Sequence, residues 1–219
     1  LSRRRFLIDG SLAAAATGGG VLLVKGEFLD AWGLRVASYR VPITGLPAGL
    51  DGVRAAILAD THLGPRIPAE YIRRAVAMAM DLNPDIFLLC GDYIHNGSAF
   101  IAPAAALFEP LVRTGRPVVA VRGNHDWYGD GHAMGRALEA IGVSVIDNRR
   151  VFLQGTSRRL VADMPTGESL ALVGLGDVFT DWVDAATAFG GLPDSMPRVV
   201  LAHNPDTADA PFGARVDLM

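Results

Sequence analysis

Residues 117–127 read PVVAVRGNHDW, and the junction inside them decides the fold. Val118 to Val121 form an unbroken apolar run, which suits a strand buried on both faces. Such strands belong to sheets covered by helices, so polar residues return only where the strand leaves the core. Here Gly123, Asn124, His125 and Asp126 return together. In α/β sheets the working groups gather beyond the carboxyl ends of strands, and Asn, His and Asp are metal-ligating and proton-handling side chains.

Working outward, the same pattern recurs. VRAAILAD (53–60) reads as a buried strand ending at Asp60, with His62 two residues on. IFLLCGD (86–92) ends at Asp92, and RVVLAH (198–203) ends at His203. Asp60 and Asp92 are 32 residues apart, as are Asp92 and Asn124, a length that suits one strand–helix–strand crossover. If the backbone stays extended, Asp60 and His62 project to one side. The periodicity of IPAEYIRRAVAMAMDL (67–82) predicts a helix, and so do those of HAMGRALEAIG (132–142) and DWVDAATAF (181–189). SAFIAPAAALFEPLVRTG (98–115) is helical in pattern but carries Pro103 and Pro110, which predicts a bend or two pieces. Further strands are expected in LRVASYRVPI (34–43), VSVID (143–147) and SLALVGLGD (169–177). The expected fold is α/β, as one domain over residues 34–219.

Composition narrows the function only by exclusion. The chain has 219 residues, half of them hydrophobic, enough to bury one domain's core. A net charge of −3 gives no reason to expect a nucleic-acid partner. The single cysteine, Cys90, excludes an intrachain disulfide and a cysteine metal cluster, and its place in IFLLCGD suits a small buried apolar residue. At the N-terminus, SRRRFL (2–7) precedes a weakly apolar stretch and resembles a twin-arginine export signal. The other reading is a basic tail. Residues 6–24 are long enough to cross a bilayer, although Asp9 and four glycines weaken that span. Residues 1–33 are therefore expected to be an export signal or retained anchor plus linker. The expected partner is the twin-arginine machinery, and the expected location is the periplasm or cell envelope, with membrane association if the anchor stays.

D-x-H, then G-D, then G-N-H-D, then a lone histidine after a strand resembles the pattern of the calcineurin-like metallophosphoesterases, over about Leu34 to Met219. With the export signal the chain is most similar to the small bacterial phosphodiesterase branch, whose relatives include UDP-2,3-diacylglucosamine hydrolases. The resemblance implies a four-layer α/β/β/α sandwich with a dinuclear site at the strands' carboxyl ends. It implies two divalent ions, and the ligand types suit manganese, zinc or iron. Asp92 would bridge them with one oxygen each; Asp60 and His62 would complete one ion's set, Asn124 and His203 the other's. A hydroxide held between the ions would attack phosphorus in line, with His125 near the leaving oxygen as proton donor or charge stabiliser. The implied activity is phosphoester hydrolysis, of diesters more than monoesters, on envelope or lipid-linked substrates. A non-catalytic scaffold and a nuclease of the same superfamily are the rival readings.

Two departures bear on this. The family's last motif, G-H-x-H, is absent, which leads to the expectation of a chain truncated at its C-terminus, with three protein ligands per ion. His95 stands where many members have an aspartate that steadies the catalytic histidine, so it bears on His125 and not on the metal ligands. Two roles fit Asp126: orienting that region, or capping the turn after it. Trp127 and Tyr128 either floor the substrate pocket or pack the loop. His132 reads as a surface residue, Asp177 as a turn carboxylate or cleft residue, and Arg73 and Arg74 as a solvated helix face.

Overall fold

The computed structural model describes residues 32–165, 167–210 and 212–219, so nearly all of the leader expected over 1–33 lies outside the described residues. The chain divides into two compact units, residues 1–40 and 41–219. The strand predicted over 34–43 does not form; those residues are irregular, with Val36, Tyr39 and Val41 exposed. Alternation of apolar and polar residues suits a half-buried strand, but only pairing and packing stabilise one. Among the described residues, no helix is long and apolar enough to cross a membrane.

The second unit holds two sheets. The first comprises β1 (Ala55–Leu58), β2 (Ile86–Cys90), β3 (Val118–Val121) and β4 (Ser144–Val145), in that order and all parallel. Helices α1 (Ala69–Asp81) and α2 (Ile101–Arg113) make the first two crossovers; α3 (Asn124–Gly129) and α4 (Gly131–Ala140) make the third. The second sheet comprises β5 (Arg150–Gln154), β6 (Leu160–Val161), β7 (Ser169–Gly174) and β8 (Arg198–Leu201), in the order β6-β5-β7-β8. In it β5 is antiparallel to both neighbours, while β7 and β8 are parallel, with α5 (Ala185–Phe189) between them in sequence.

Strand alternation explains the layering. In β2, Phe87 and Leu89 face α1 and α2, while Ile86 and Leu88 face the second sheet. In β3, Val118 and Ala120 share the helix side with Phe87, and Val119 and Val121 share the inter-sheet core. Both faces exclude water, which is why these strands read as unbroken apolar runs. On the far side of the second sheet, Phe152, Ala171, Val173 and Val200 pack with Ala188 and Phe189 of α5. Helices, two sheets and α5 thus make the α/β/β/α sandwich. Filling these cores contributes roughly 1.5–3 kcal/mol for each large apolar side chain fully buried.

Four predictions need correction. β1 is not buried throughout: it is an edge strand, and Ile57 is 65 % exposed. α2 is one uninterrupted helix, because Pro103 sits in the first turn, where its missing N–H costs no bond. Pro110 lies inside it, near the C-terminal end, and burial of Leu107, Phe108 and Leu111 holds that end in place. α5 begins only at Ala185, since the Asp184 side chain caps it by accepting the Thr187 N–H at 2.9 Å. β5 and β6 were not expected; three buried residues flanked by Arg150 and Gln154 give too short a signal.

Candidate metal centre

Parallel register brings the strand ends together, pairing Leu58 with Leu89 and Cys90 with Val121. Past β1 the chain continues to follow the segment after β2: the Asp60 N–H donates to the Gly91 carbonyl, and the His62 N–H to the Asp92 carbonyl. The backbone there is not extended, contrary to expectation. Asp60, His62 and Asp92 all lie in the left-handed region, with φ of 54°, 45° and 57°. Such backbone costs on the order of 1–3 kcal/mol per non-glycine residue and concentrates at functional sites. It turns the three side chains toward one another.

They meet at one oxygen. His62 Nε2 lies 3.4 Å from Asp92 Oδ2 and 3.4 Å from Asp60 Oδ1, and His203 Nε2 lies 3.3 Å from the same Asp92 Oδ2. Asp92 is only 3 % exposed. Its other oxygen, Oδ1, accepts the His125 N–H at 2.8 Å, so Oδ2 is the atom shared between the histidines. His203 Nδ1–H donates to the Cys90 carbonyl at 2.8 Å, which fixes the tautomer and aims Nε2 at the carboxylate. Burial resists ionisation of Asp92, but the His203 side chain, the His125 N–H and the histidine charges hold its carboxyl below the ordinary range. The Asp92 carboxylate in turn raises His203 to about 9, against the opposing effect of burial.

Separations of 3.3–3.4 Å suit a cation better than direct hydrogen bonds. Asp60, Asp92 and His203 form one group of converging ligand atoms; His62, His95 and His125 form a second. Asn124 is half-buried at the first position of α3, next to His125. The converging donors are therefore carboxylate and imidazole, which fits a borderline divalent ion.

His125 stands beside this group. Its Nδ1–H donates to the His95 carbonyl, and its ring meets the edge of His62 at 4.6 Å, stacks on His95 at 5.2 Å and touches Tyr128 at 5.2 Å. A backbone carbonyl thus orients this histidine, and His95 contributes that carbonyl together with its ring. Asp126 is fully buried. Its Oδ2 accepts the N–H of Gly123 and of Asp92, each at 2.9 Å; its Oδ1 accepts those of Tyr93 at 2.9 Å and Ile94 at 3.4 Å. It both caps α3 and ties that helix to the segment bearing Asp92. Burial, reinforced by the Asp92 charge, pushes its carboxyl up to about 6, although the backbone donors favour the charged form.

Trp127 makes loop contacts. It packs beneath the Arg122 guanidinium, 4.4 Å from the ring centroid, and meets His132 edge-on at 5.0 Å. Tyr128 lies beside the His125 ring. Asp177 is a turn carboxylate, its Oδ1 accepting the N–H groups of Phe179 and Thr180. Arg73 lies on the exposed face of α1, paired with Glu70.

Sequence reasoning overlooked the residues that make room. A Cβ on Gly123 would sit 2.2 Å from Asp92 Oδ1; one on Gly91, where φ is +90°, would sit 2.6 Å from the Gly123 nitrogen and 2.8 Å from His203 Nδ1. Tyr93 was overlooked too: its buried hydroxyl donates to the Val121 carbonyl at 2.6 Å and fastens β2 to β3. The signal for the glycines is legible: each stands directly before a ligand-bearing segment, where only a residue without Cβ allows such close approach.

The chain is similar to known proteins. The family model for calcineurin-like phosphoesterase matches residues 53–209. A transmembrane protein with metallophosphoesterase domain from Danio rerio is 28% identical over 209 residues, covering 90% of this chain and 45% of that protein. Phosphodiesterase YaeI of Escherichia coli is 28% identical over 227 residues, covering 100% of this chain and 76% of its own length. A UDP-2,3-diacylglucosamine pyrophosphatase from Chlamydia trachomatis is 23% identical over 195 residues, covering 73% of this chain and 59% of that enzyme. The chain thus spans about half the length of the zebrafish relative and about three quarters of the bacterial phosphodiesterase. With its ligand-type residues gathered at the strand ends of a four-layer sandwich, the chain belongs to the calcineurin-like phosphoesterase family.

Proposed function

We propose that this protein hydrolyses phosphoesters with the help of two divalent ions, and that it acts on phosphodiester or pyrophosphate linkages in lipid-linked or envelope substrates. The observation that carries the proposal is the meeting of His62 and His203 Nε2 on the single oxygen Asp92 Oδ2, with His125 alongside. In this reading Asp60 and His62 would hold one ion, Asn124 and His203 the other, and the Asp92 carboxylate would serve both. Bound divalent ions supply a Lewis acid for the phosphoryl oxygens and lower the pKa of water toward neutrality.

The chain's own residues do the rest. The His95 carbonyl engages Nδ1 of His125 and leaves Nε2 as its proton-handling atom, suited to protonating the leaving oxygen. The His125 N–H and the backbone clamp of Asp126 fix the Asp92 carboxylate before substrate arrives, so little reorganisation is left to the reaction. The bacterial relatives support this reading, one being named a phosphodiesterase and the other a UDP-2,3-diacylglucosamine pyrophosphatase. Export by a twin-arginine leader over residues 1–33 belongs to the same proposal, since that route carries folded proteins with their metals already in place.

The test is Asp92→Ala in the full chain, assayed on bis(p-nitrophenyl) phosphate with added manganese. The expected loss is at least about a hundredfold in kcat/KM. An unchanged rate refutes the proposal.

A further inference from the structure

The parallel pairing of β7 and β8 sets Gly174 against Leu201, and the Leu175 N–H donates to the Leu201 carbonyl. Gly176 therefore stands about one strand spacing, ~5 Å, from the segment carrying His203. The loop that follows, residues 177–183, leaves the same sheet edge as the metal centre.

This loop is firmly held. Asn148 Oδ1 accepts the N–H of Gly176 at 3.1 Å and of Asp184 at 2.8 Å, while its Nδ2 donates to the Trp182 carbonyl at 2.8 Å. One side chain thus fastens both ends. Inside, the fully buried Asp177 takes up the Phe179 and Thr180 N–H groups and the Thr180 hydroxyl. On the site side, the Asp181 carboxylate lies 3.9 Å from the guanidinium of Arg122, the residue directly before Gly123. The anchored loop nevertheless holds Val178, Phe179 and Trp182 out in water, 40%, 65% and 63% exposed. Large aromatics kept exposed on a fixed loop beside a polar centre suit a boundary between water and hydrocarbon. Three side chains at a loop tip are too few for a stable protein interface, which takes roughly 800 Å² from each partner.

We propose that Val178, Phe179 and Trp182 form a pad that enters the acyl region of a bilayer and receives the apolar chains of the substrate, a phosphoester lipid whose phosphate reaches the metal centre. This rests on the phosphoesterase reading above and adds the surface that selects the lipid. Asn148 and the Arg122–Asp181 pair hold the pad at a fixed offset from His203, so a headgroup of suitable length brings its phosphate to the ions while its chains stay in the bilayer.

The test compares the full-length protein with Phe179→Ser/Trp182→Ser on two substrates: soluble bis(p-nitrophenyl) phosphate, and a diacyl phosphatidyl-p-nitrophenol in phosphatidylcholine vesicles. The variant is expected to keep the soluble activity and to lose about tenfold in kcat/KM per aromatic on the vesicles. Phe179→Leu/Trp182→Leu, which stays apolar, is expected to retain most of the vesicle activity. Equal losses on both substrates, or no loss on either, overturn the pad. Flotation with phosphatidylcholine vesicles needs no turnover: the wild type is expected to float and the serine variant to sediment. If the wild type hydrolyses neither substrate, the phosphoesterase reading fails, and flotation still judges the pad.

Discussion

Asp126→Asn changes one atom of a fully buried side chain, yet it removes half of that side chain's accepting capacity. The carboxylate takes two backbone N–H groups on each oxygen: Gly123 and Asp92 on Oδ2, Tyr93 and Ile94 on Oδ1. An amide has one accepting oxygen, so in either orientation two N–H groups face an NH₂ that can accept nothing. Each orphaned buried donor costs about 1–3 kcal/mol. The pair comes to roughly 4 kcal/mol, a large share of the 5–15 kcal/mol typical of a domain. The damage falls on the segment carrying Asp92, so metal binding should fall with stability. Urea unfolding followed by circular dichroism gives the first quantity and manganese titration calorimetry the second. A midpoint shift worth less than about 1 kcal/mol, with metal binding intact, would show that these hydrogen bonds do not hold the site, and the reasoning would fail.

Gly123→Ala places a methyl 2.2 Å from Asp92 Oδ1 and 2.8 Å from the His203 ring, both of which must then move. Manganese affinity is expected to fall roughly 10–100-fold in calorimetry, and unaltered affinity would contradict the close packing described. Asp85, far from the centre, accepts the Arg54 N–H and lies 2.6 Å from Arg158 and 3.9 Å from Arg116. Burial opposes its ionisation, but the Arg54 N–H and the two guanidiniums hold its carboxyl below the usual 3.8. The lowered value means that its stabilisation is present above that pH and disappears as pH falls through the folded-state value. The stability gap between wild type and Asp85→Asn should therefore be open at pH 7 and closed at strongly acid pH; a gap independent of pH contradicts the assignment.

The buried strands and the polar residues at their ends were legible because both faces of β2 and β3 exclude water, so every side chain between Ile86 and Leu89 had to be apolar. Equal spacing between Asp60, Asp92 and Asn124 carried the crossover topology. The backbone at the site was not legible. Asp60 and His62 were expected to align by strand alternation, whereas left-handed turns bring them together, and no side-chain pattern encodes a positive φ at Asp or His. Nor did Asp126 reveal which of two roles it plays, because three of its four partners are backbone N–H groups of residues more than thirty positions away. Short β5 and β6 escaped because two to five residues carry too little periodicity.

The bond from His203 to the Cys90 carbonyl spans 113 residues. In a chain made from its N-terminus, β1 to β4 and their helices are complete long before β8 emerges. A nascent chain at that stage already carries Asp60, His62, Asp92 and Asn124, yet the wall bearing His203 arrives only when the two sheets dock. Closing so non-local a contact is slow, and it comes late on the folding path. Ions gripped across that seam would therefore slow its reopening rather than hasten its formation, and the native state would owe to them its lifetime more than its speed of assembly.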